Sequence, residues 1–299
     1  MTEIDQLSSS SSNTLCLSWE RFVCKIFDDH AIGADKLVYA DNTIIISIKD
    51  KFCLSKALNQ HPEITKLHLS NIKFIPSDLS WLFSNLKFIV SIKFENFIFS
   101  SQTSLKCWFN ECEKLKSAHF GFGFTLKDVE TVEFMFLNCR ELVRVHCPHF
   151  TTDDVKCMKS MFYNCLKLKD ISISHWDTSK VESFECMFFN CYGLDYIDIS
   201  NWKLKKCSSF KAMFFRCLNL KSIDCENLFI SNGARMDYMF CDCKVLETVN
   251  NAGWKFEKPV NAAHMFDSCC KLKEIVGKIN TNMKDGMFKD CSESFATSV

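Results

Sequence analysis

Apolar residues recur along this chain with a 26-residue period. The clearest marker is the motif Met-Phe-x-x-Cys, which occurs at Met135–Phe136 with Cys139 and returns in the same form from Met161, Met187, Met213, Met239 and Met265. Self-similarity at a fixed period of this length predicts a solenoid or array of like units. Further copies, some of them weaker, lie at Ala57–Leu58, Leu82–Phe83, Trp108–Phe109 and Met287–Phe288.

Each unit has two halves with different apolar periods. After Leu168, Ile171 and Ile173 alternate with polar residues, which predicts a short strand with one buried face. In the other half the apolar residues follow steps of three and four, which predicts a short helix, and Ser179 with Glu182 fits a capping box at its start. The helical stripe of this unit consists of Val181, Phe184, Met187, Phe188, Cys191 and Leu194.

A single strand–helix unit cannot bury its own apolar stripe, so neighbouring units must stack. We therefore predict an α/β repeat fold, a solenoid of about nine units whose strands pair into one long parallel sheet. Equivalent side chains then form ladders of Met, Phe and Cys through the core. A further aromatic row is predicted from Phe97, Phe150, Trp176, Trp202 and Trp254.

The repeat register divides the chain into four segments. Residues 1–12 form a Ser-rich leader that we expect to be disordered, and residues 13–55 form an N-terminal cap with a hairpin around Asp41–Asn42. The repeats occupy residues 56–291, and residues 292–299 form a C-terminal tail. Because the last step, from Met265 to Met287, is shorter than the others, the final unit is either a C-terminal cap or the point at which a longer protein was cut.

The charge balance changes the range of partners to consider. Lys plus Arg and Asp plus Glu number 36 each, so the chain has no overall field that would attract nucleic acid. Its acidic start does not fit a secretory signal, and no apolar stretch is long enough to insert into a membrane. We therefore expect a cytoplasmic, monomeric protein that binds neither nucleic acid nor membrane.

The repeats resemble a known family. Three segments show the resemblance: Trp176–Val181, Met187–Cys191, and Leu194 to Trp202 with Ile197 and Ile199 between them. This pattern is similar to the 26-residue bacterial surface protein repeat, a BspA-like relative of leucine-rich repeats, over roughly residues 57–291. The resemblance implies a leucine-rich-repeat-like solenoid. It also implies an alternative function, that of a cell-surface adhesin attached to host or matrix proteins.

Eight of the 19 cysteines fall at one repeat position, where they could be metal ligands, disulfide partners or core residues. Stacked equivalents are too regular for a four-ligand zinc site, and free cysteine is a small, readily buried residue. We therefore predict a structural core ladder, no cofactor and a reducing compartment. The ladder consists of Cys112, Cys139, Cys165, Cys191, Cys217, Cys243, Cys269 and Cys291.

Catalysis by a cysteine is the most remote of the functions we consider. Cys147 and His149, with His146 beside them, place a thiol near imidazoles in the sequence. An activated thiolate needs a third group and a pocket, and neither can be argued from the sequence. The sequence therefore predicts a protein that is not an enzyme.

The residues that flank the buried strand positions should face solvent. Along the chain they change from basic or imidazole side chains to acidic ones, which predicts a polarised docking strip for a protein partner of unknown identity. A solvated face without a partner is the alternative. The strip consists of Lys66, His68, Lys93, His119, Arg144, His146, Asp170, Ser172, Tyr196, Asp198, Asp224 and Asn250.

Overall fold

The computed structural model describes residues 14–15, 34–40, 43–48, 55–56, 58–60, 62, 65–74, 78–99, 103–226, 234–252, 254, 259–279 and 281–292. The predicted leader at 1–12, most of the predicted cap and nearly all of the tail lie outside these residues. The predicted hairpin is confirmed by its strands, because Ala40 pairs with Thr43 in antiparallel register, although Asp41–Asn42 itself is not described.

The chain forms a parallel β-solenoid. The strands are β1 (Thr14–Leu15), β2 (Ala34–Ala40), β3 (Thr43–Ile48), β4 (Lys66–Phe74), β5 (Ser91–Ile98), β6 (Thr103–Ser104), β7 (Ser117–Phe120), β8 (Val129–Thr131), β9 (Arg144–His146), β10 (Asp170–Ile171), β11 (Ser222–Asp224), β12 (Thr248–Asn250), β13 (Val260–Asn261), β14 (Glu274–Ile275) and β15 (Thr281–Met283).

The predicted parallel sheet is present but interrupted. Strands β10, β9, β7, β5, β4, β3 and β2 follow one another in the first sheet, with β1 also paired to β4, and β11, β12 and β14 form a separate sheet. All of these pairs are parallel except β2 with β3. Residues 194–199 between the two sheets are not strand residues, so the prediction of a single long sheet was wrong at this unit.

A second parallel ladder runs along another side of the solenoid, and the sequence did not predict it. It consists of β6 with β8, β13 with β15, and single bridges such as Thr131 with Cys157 and Ser183 with Ser209. Polar side chains at these positions hold short turns, since Ser183 Oγ accepts from the Glu185 amide at 3.2 Å. Each coil is therefore bonded to the next on two sides where the main sheets are formed, and by the second ladder across the interruption at residues 194–199.

The predicted helix of each unit is not formed. Apart from a helical turn at Ser55, Lys56 and Leu58, the described residues contain no helix, and the Met-Phe-x-x-Cys segments form consecutive turns. Two residues of each segment lie in the left-handed region, which a right-handed helix excludes. These pairs are Trp81 and Asn85, Cys107 and Glu111, Phe134 and Asn138, Ser160 and Asn164, Cys186 and Asn190, Ala212 and Arg216, Tyr238 and Asp242, His264 and Ser268, and Gly286 and Asp290.

The spacing of the coils explains this correction. The rings of Phe162 and Phe188 stack with centroids 5.4 Å apart, and those of Phe188 and Phe214 with centroids 5.5 Å apart. Packed helices need axes about 8–10 Å apart, so helices cannot stack at this spacing. Turns can stack at this spacing, because alternate backbone amides donate to the next coil. The Phe162 amide donates to the Met187 carbonyl at 2.9 Å, whereas the Met161 amide donates within its own coil.

The predicted ladders form the core. The Phe ladder is fully buried through the central coils. The aromatic row is present from Phe97 to Trp176, with one member that the sequence reasoning missed, and Trp202 and Trp254 are also buried. Phe124 lies between Phe97 and Phe150, with ring centroids 5.6 Å and 5.5 Å away. An extra residue in this coil, Gly123, displaces Phe124 from the regular register. The sequence signal was the step from Trp108 to Met135, which is one residue longer than the period.

Candidate functional site

The predicted strip lies on the outward face of the main strands. In β9, β11 and β12 the central residue is buried and its neighbours are exposed or half-buried, as Arg144, Val145 and His146 illustrate in β9. The strand register places the strip in two rows, and for the described strands it agrees with the alignment made from the sequence. Whether this surface binds a partner remains a prediction.

The strip divides into two halves at the unit without a strand. Tyr196, in that unit, is 66% exposed and carries the largest exposed aromatic ring on the strip. Lys66, His68, Lys93, His119, Arg144 and His146 lie on the first sheet, whereas Asp224 and Asn250 lie on the separate second sheet.

The side chains of the basic half contact one another. Glu95 accepts from His68 Nε2 at 2.9 Å and from Lys93 Nζ at 2.9 Å, and these contacts lower the pKa of its carboxyl, chiefly through the Lys93 hydrogen bond. The rings of His119 and His146 stack with centroids 4.5 Å apart. Desolvation, followed by the charge of His146, lowers the pKa of His119.

The acidic half has a structural role that the sequence reasoning missed. Asp198 Oδ1 accepts from the Ser200 hydroxyl at 2.7 Å and from the Ser200 amide at 3.0 Å, and these hydrogen bonds lower the pKa of its carboxyl. Asp224 Oδ1 likewise accepts from the Glu226 amide at 3.0 Å. Such Asx turns fix the corner that follows the strand. The recurrence of Asp and Asn here is therefore explained by the fold as well as by any partner.

The cysteine ladder is a hydrogen-bonded element of the core. Cys191 Sγ donates to the Phe162 carbonyl of the preceding coil at 3.2 Å, and the other ladder members donate to the corresponding Phe carbonyls. Burial raises the pKa of the Cys191 thiol, which keeps the proton that this bond requires. A small side chain with a weak donor fits this position.

The described cysteines are free thiols. Among the described residues, no group of three or more His, Cys, Asp and Glu side chains is placed to hold a metal ion.

Cys147 is not arranged as an activated nucleophile. It is buried, its thiol lies 3.7 Å from the Ser172 carbonyl, and burial raises its pKa to about 12. A catalytic thiolate needs a depressed pKa. Its sequence neighbours point elsewhere, since His146 stacks on His119 and the ring of His149 meets Phe122 edge-on at 6.0 Å.

Stacked coils, two parallel ladders and buried rows of equivalent side chains define this protein as a parallel β-solenoid built from repeats. The family described as "Mycoplasma protein of unknown function, DUF285" matches residues 103–224, 130–248 and 196–298. The chain belongs to this family. The resemblance to BspA-like repeats that the motif predicted is thereby confirmed.

A search of curated proteins found no significant match. Among solved structures, a leucine rich cell surface protein from Faecalibacterium prausnitzii is 16% identical, with a TM-score of 0.28. The match covers 86% of the present chain, which spans 53% of that protein. In the part of the chain that the structure describes, no helix has the length and apolar character needed to span a membrane.

Proposed function

We propose that this protein is a non-enzymatic interaction module that presents the outward strand face to a protein partner. The basic half of the strip, from Lys66 to His146, is the half that contacts the partner. The observation that carries this proposal is the difference between the two halves. The acidic side chains Asp198 and Asp224 hold backbone turns, whereas the basic side chains form no hydrogen bond with the backbone among the described residues. They contact one another and Glu95 instead, so no backbone turn requires them.

The chemistry of the basic half favours an acidic surface on the partner. Lys66 and Arg144 are exposed, Lys93 is half-buried, and the registered strands hold their backbones in a fixed array. Complementary charge in such an array sets the orientation of a partner and its rate of association more than its affinity. Because the pKa of His119 is lowered, this side chain is neutral at neutral pH. An acidic partner would favour its protonated form, so binding should strengthen as the pH falls.

The test is photo-crosslinking in native cells from matched positions. Benzoylphenylalanine replaces either Tyr196 on the strip or Tyr238 on the turn side, both of which are exposed tyrosines. We expect a discrete product from position 196 only, and we expect K66Q/K93Q/R144Q to lose it. D198N/D224N is the charge control, because asparagine keeps the acceptor of the turn. Equal products from both positions, or a product that survives the triple substitution and is lost in D198N/D224N, would contradict the proposal.

We further propose that the protein acts in a reducing compartment, with a cell-surface adhesin as the alternative that the repeat family implies. The support is the thiol ladder, because oxidation of Cys191 and its equivalents would remove protons that the core uses. Labelling of intact cells with a membrane-impermeant biotin reagent separates the two. We expect the protein to be absent from the biotinylated fraction and recovered in the cytosol. Its presence in the labelled fraction would favour the adhesin.

A further inference from the structure

One coil carries an insertion at the corner that follows the first sheet. Residues 117–122 align one by one with residues 144–149 of the next coil, at a distance of 27 residues in the sequence. Phe124 aligns with Phe150, at a distance of only 26 residues. Gly123 is therefore the extra residue. Gly123 has φ +74°, and a Cβ atom there would lie 2.3 Å from Asn96 Oδ1, so only glycine fits. Insertions in repeat proteins often mark a binding face.

The insertion leaves Phe122 on the surface. Its side chain is 77% exposed, the most of any large apolar residue described, although the flanking Phe120 and Phe124 are fully buried. It borders a shallow cleft of about 540 Å³, open to solvent, that runs across the corners of consecutive coils. The lining residues are Phe122, Gly123, Thr125, Pro148, His149, Phe150, Thr151, Asp153, His175 and Asp177.

The cleft combines ring surfaces with negative charge. Phe122 and His149 meet edge-on with centroids 6.0 Å apart, and Phe150 lies at the base. Asp177 is held by a 2.9 Å bond from the Ser179 amide, and its other oxygen lies 3.6 Å from Lys203 Nζ. Asp153 is exposed and forms no hydrogen bond or ion pair with the described residues, although the charge of Lys180 interacts with it. No Lys or Arg lines the cleft.

We propose that this corner cleft, lined by Phe122, His149 and Asp153, binds an arginine side chain of a protein partner. A guanidinium group stacks on aromatic rings and bonds carboxylates in the same plane, so it satisfies both features of the cleft. An acidic or purely apolar segment would leave Asp153 either repelled or desolvated without a partner. The site differs from the strip in place and in charge, so this proposal does not rest on the proposed function.

The test is a ligand-observed NMR titration of the full chain with a capped pentapeptide that has one central arginine between glycines. The matched probe carries citrulline, which has the same shape without the charge. We expect saturation transfer to the arginine side chain and a Kd at least about tenfold weaker for citrulline. F122A and D153N should each weaken arginine binding by about tenfold. D195N, the same substitution at an exposed residue outside the cleft and the strip, should leave it unchanged.

Three outcomes would overturn the proposal. The first is equal binding of the arginine and citrulline peptides, and the second is no detectable transfer at millimolar peptide. The third is binding that F122A and D153N do not change while both variants retain the melting curve of the native protein. If either variant fails to keep that curve, the citrulline comparison on the native chain decides the proposal by itself.

Discussion

Replacing Phe162 with alanine should lower the free energy of unfolding by about 3–5 kcal/mol, the usual cost of removing a buried phenylalanine. Phe162 is fully buried and stacks on Phe136 and Phe188 with centroids 5.5 Å and 5.4 Å away. Coils stacked this closely cannot close over the cavity without breaking the hydrogen bonds that join them. Chemical denaturation followed by circular dichroism measures the change. A loss below about 1 kcal/mol would mean that the core is not packed as described.

A double-mutant cycle tests whether the ladder is continuous. F162A and F188A affect adjacent coils and should couple by at least about 0.5 kcal/mol, because each removes a surface on which the other packs. Phe136 and Phe214 are separated by two members of the ladder, so F136A and F214A should be additive. Equal coupling in both pairs would contradict nearest-neighbour stacking.

Much of the solenoid could be predicted because the period and the strand alternation are independent signals. The repeat motif alone aligns Lys93, His119 and His146, and the strands pair in that same register. The alternation of Ile171 and Ile173 predicts which face is buried. A period in the sequence determines which residues become neighbours in successive coils, whatever conformation lies between them.

The conformation of the Met-Phe-x-x-Cys segment could not be predicted in this way. Its apolar steps of three and four place one stripe inward in a helix, but two consecutive turns bury the same side chains, as Met187 and Cys191 show. Glycine commonly marks left-handed residues, yet Ser160 and Ala212 occupy such positions here. The decisive factor is the coil spacing, which depends on contacts between units rather than on any one of them.

The candidate sites were predictable to different degrees. The strip could be predicted from the strand alternation, but the structural role of Asp198 and Asp224 could not. An exposed carboxylate gives the same sequence pattern whether it bonds a backbone amide or a partner. The cleft depends on one inserted residue, Gly123. A change in spacing reveals the insertion but not the cavity it opens.

Substitutions at Asn164 should distinguish the turns from the predicted helix, because the two structures predict opposite orders of stability for the alanine and glycine variants. Asn164 has φ 59°, donates to Asn138 Oδ1 at 2.7 Å and accepts from Asn190 Nδ2 at 2.8 Å. N164A loses both bonds and places alanine in the left-handed region, so we expect a loss of about 2–3 kcal/mol. N164G loses the bonds but adopts this conformation freely, so it should be more stable than N164A by about 1 kcal/mol.

In a helix the order would be reversed, because alanine exceeds glycine in helix stability by about 1 kcal/mol. Lys167 provides the matched control, since it is exposed in the same coil and does not lie in the left-handed region. There K167A should be at least as stable as K167G. Urea unfolding of the four variants measures both differences under one condition. If N164A proves more stable than N164G, the turns described for this segment are wrong, and the stacked coils must be held apart by helices after all.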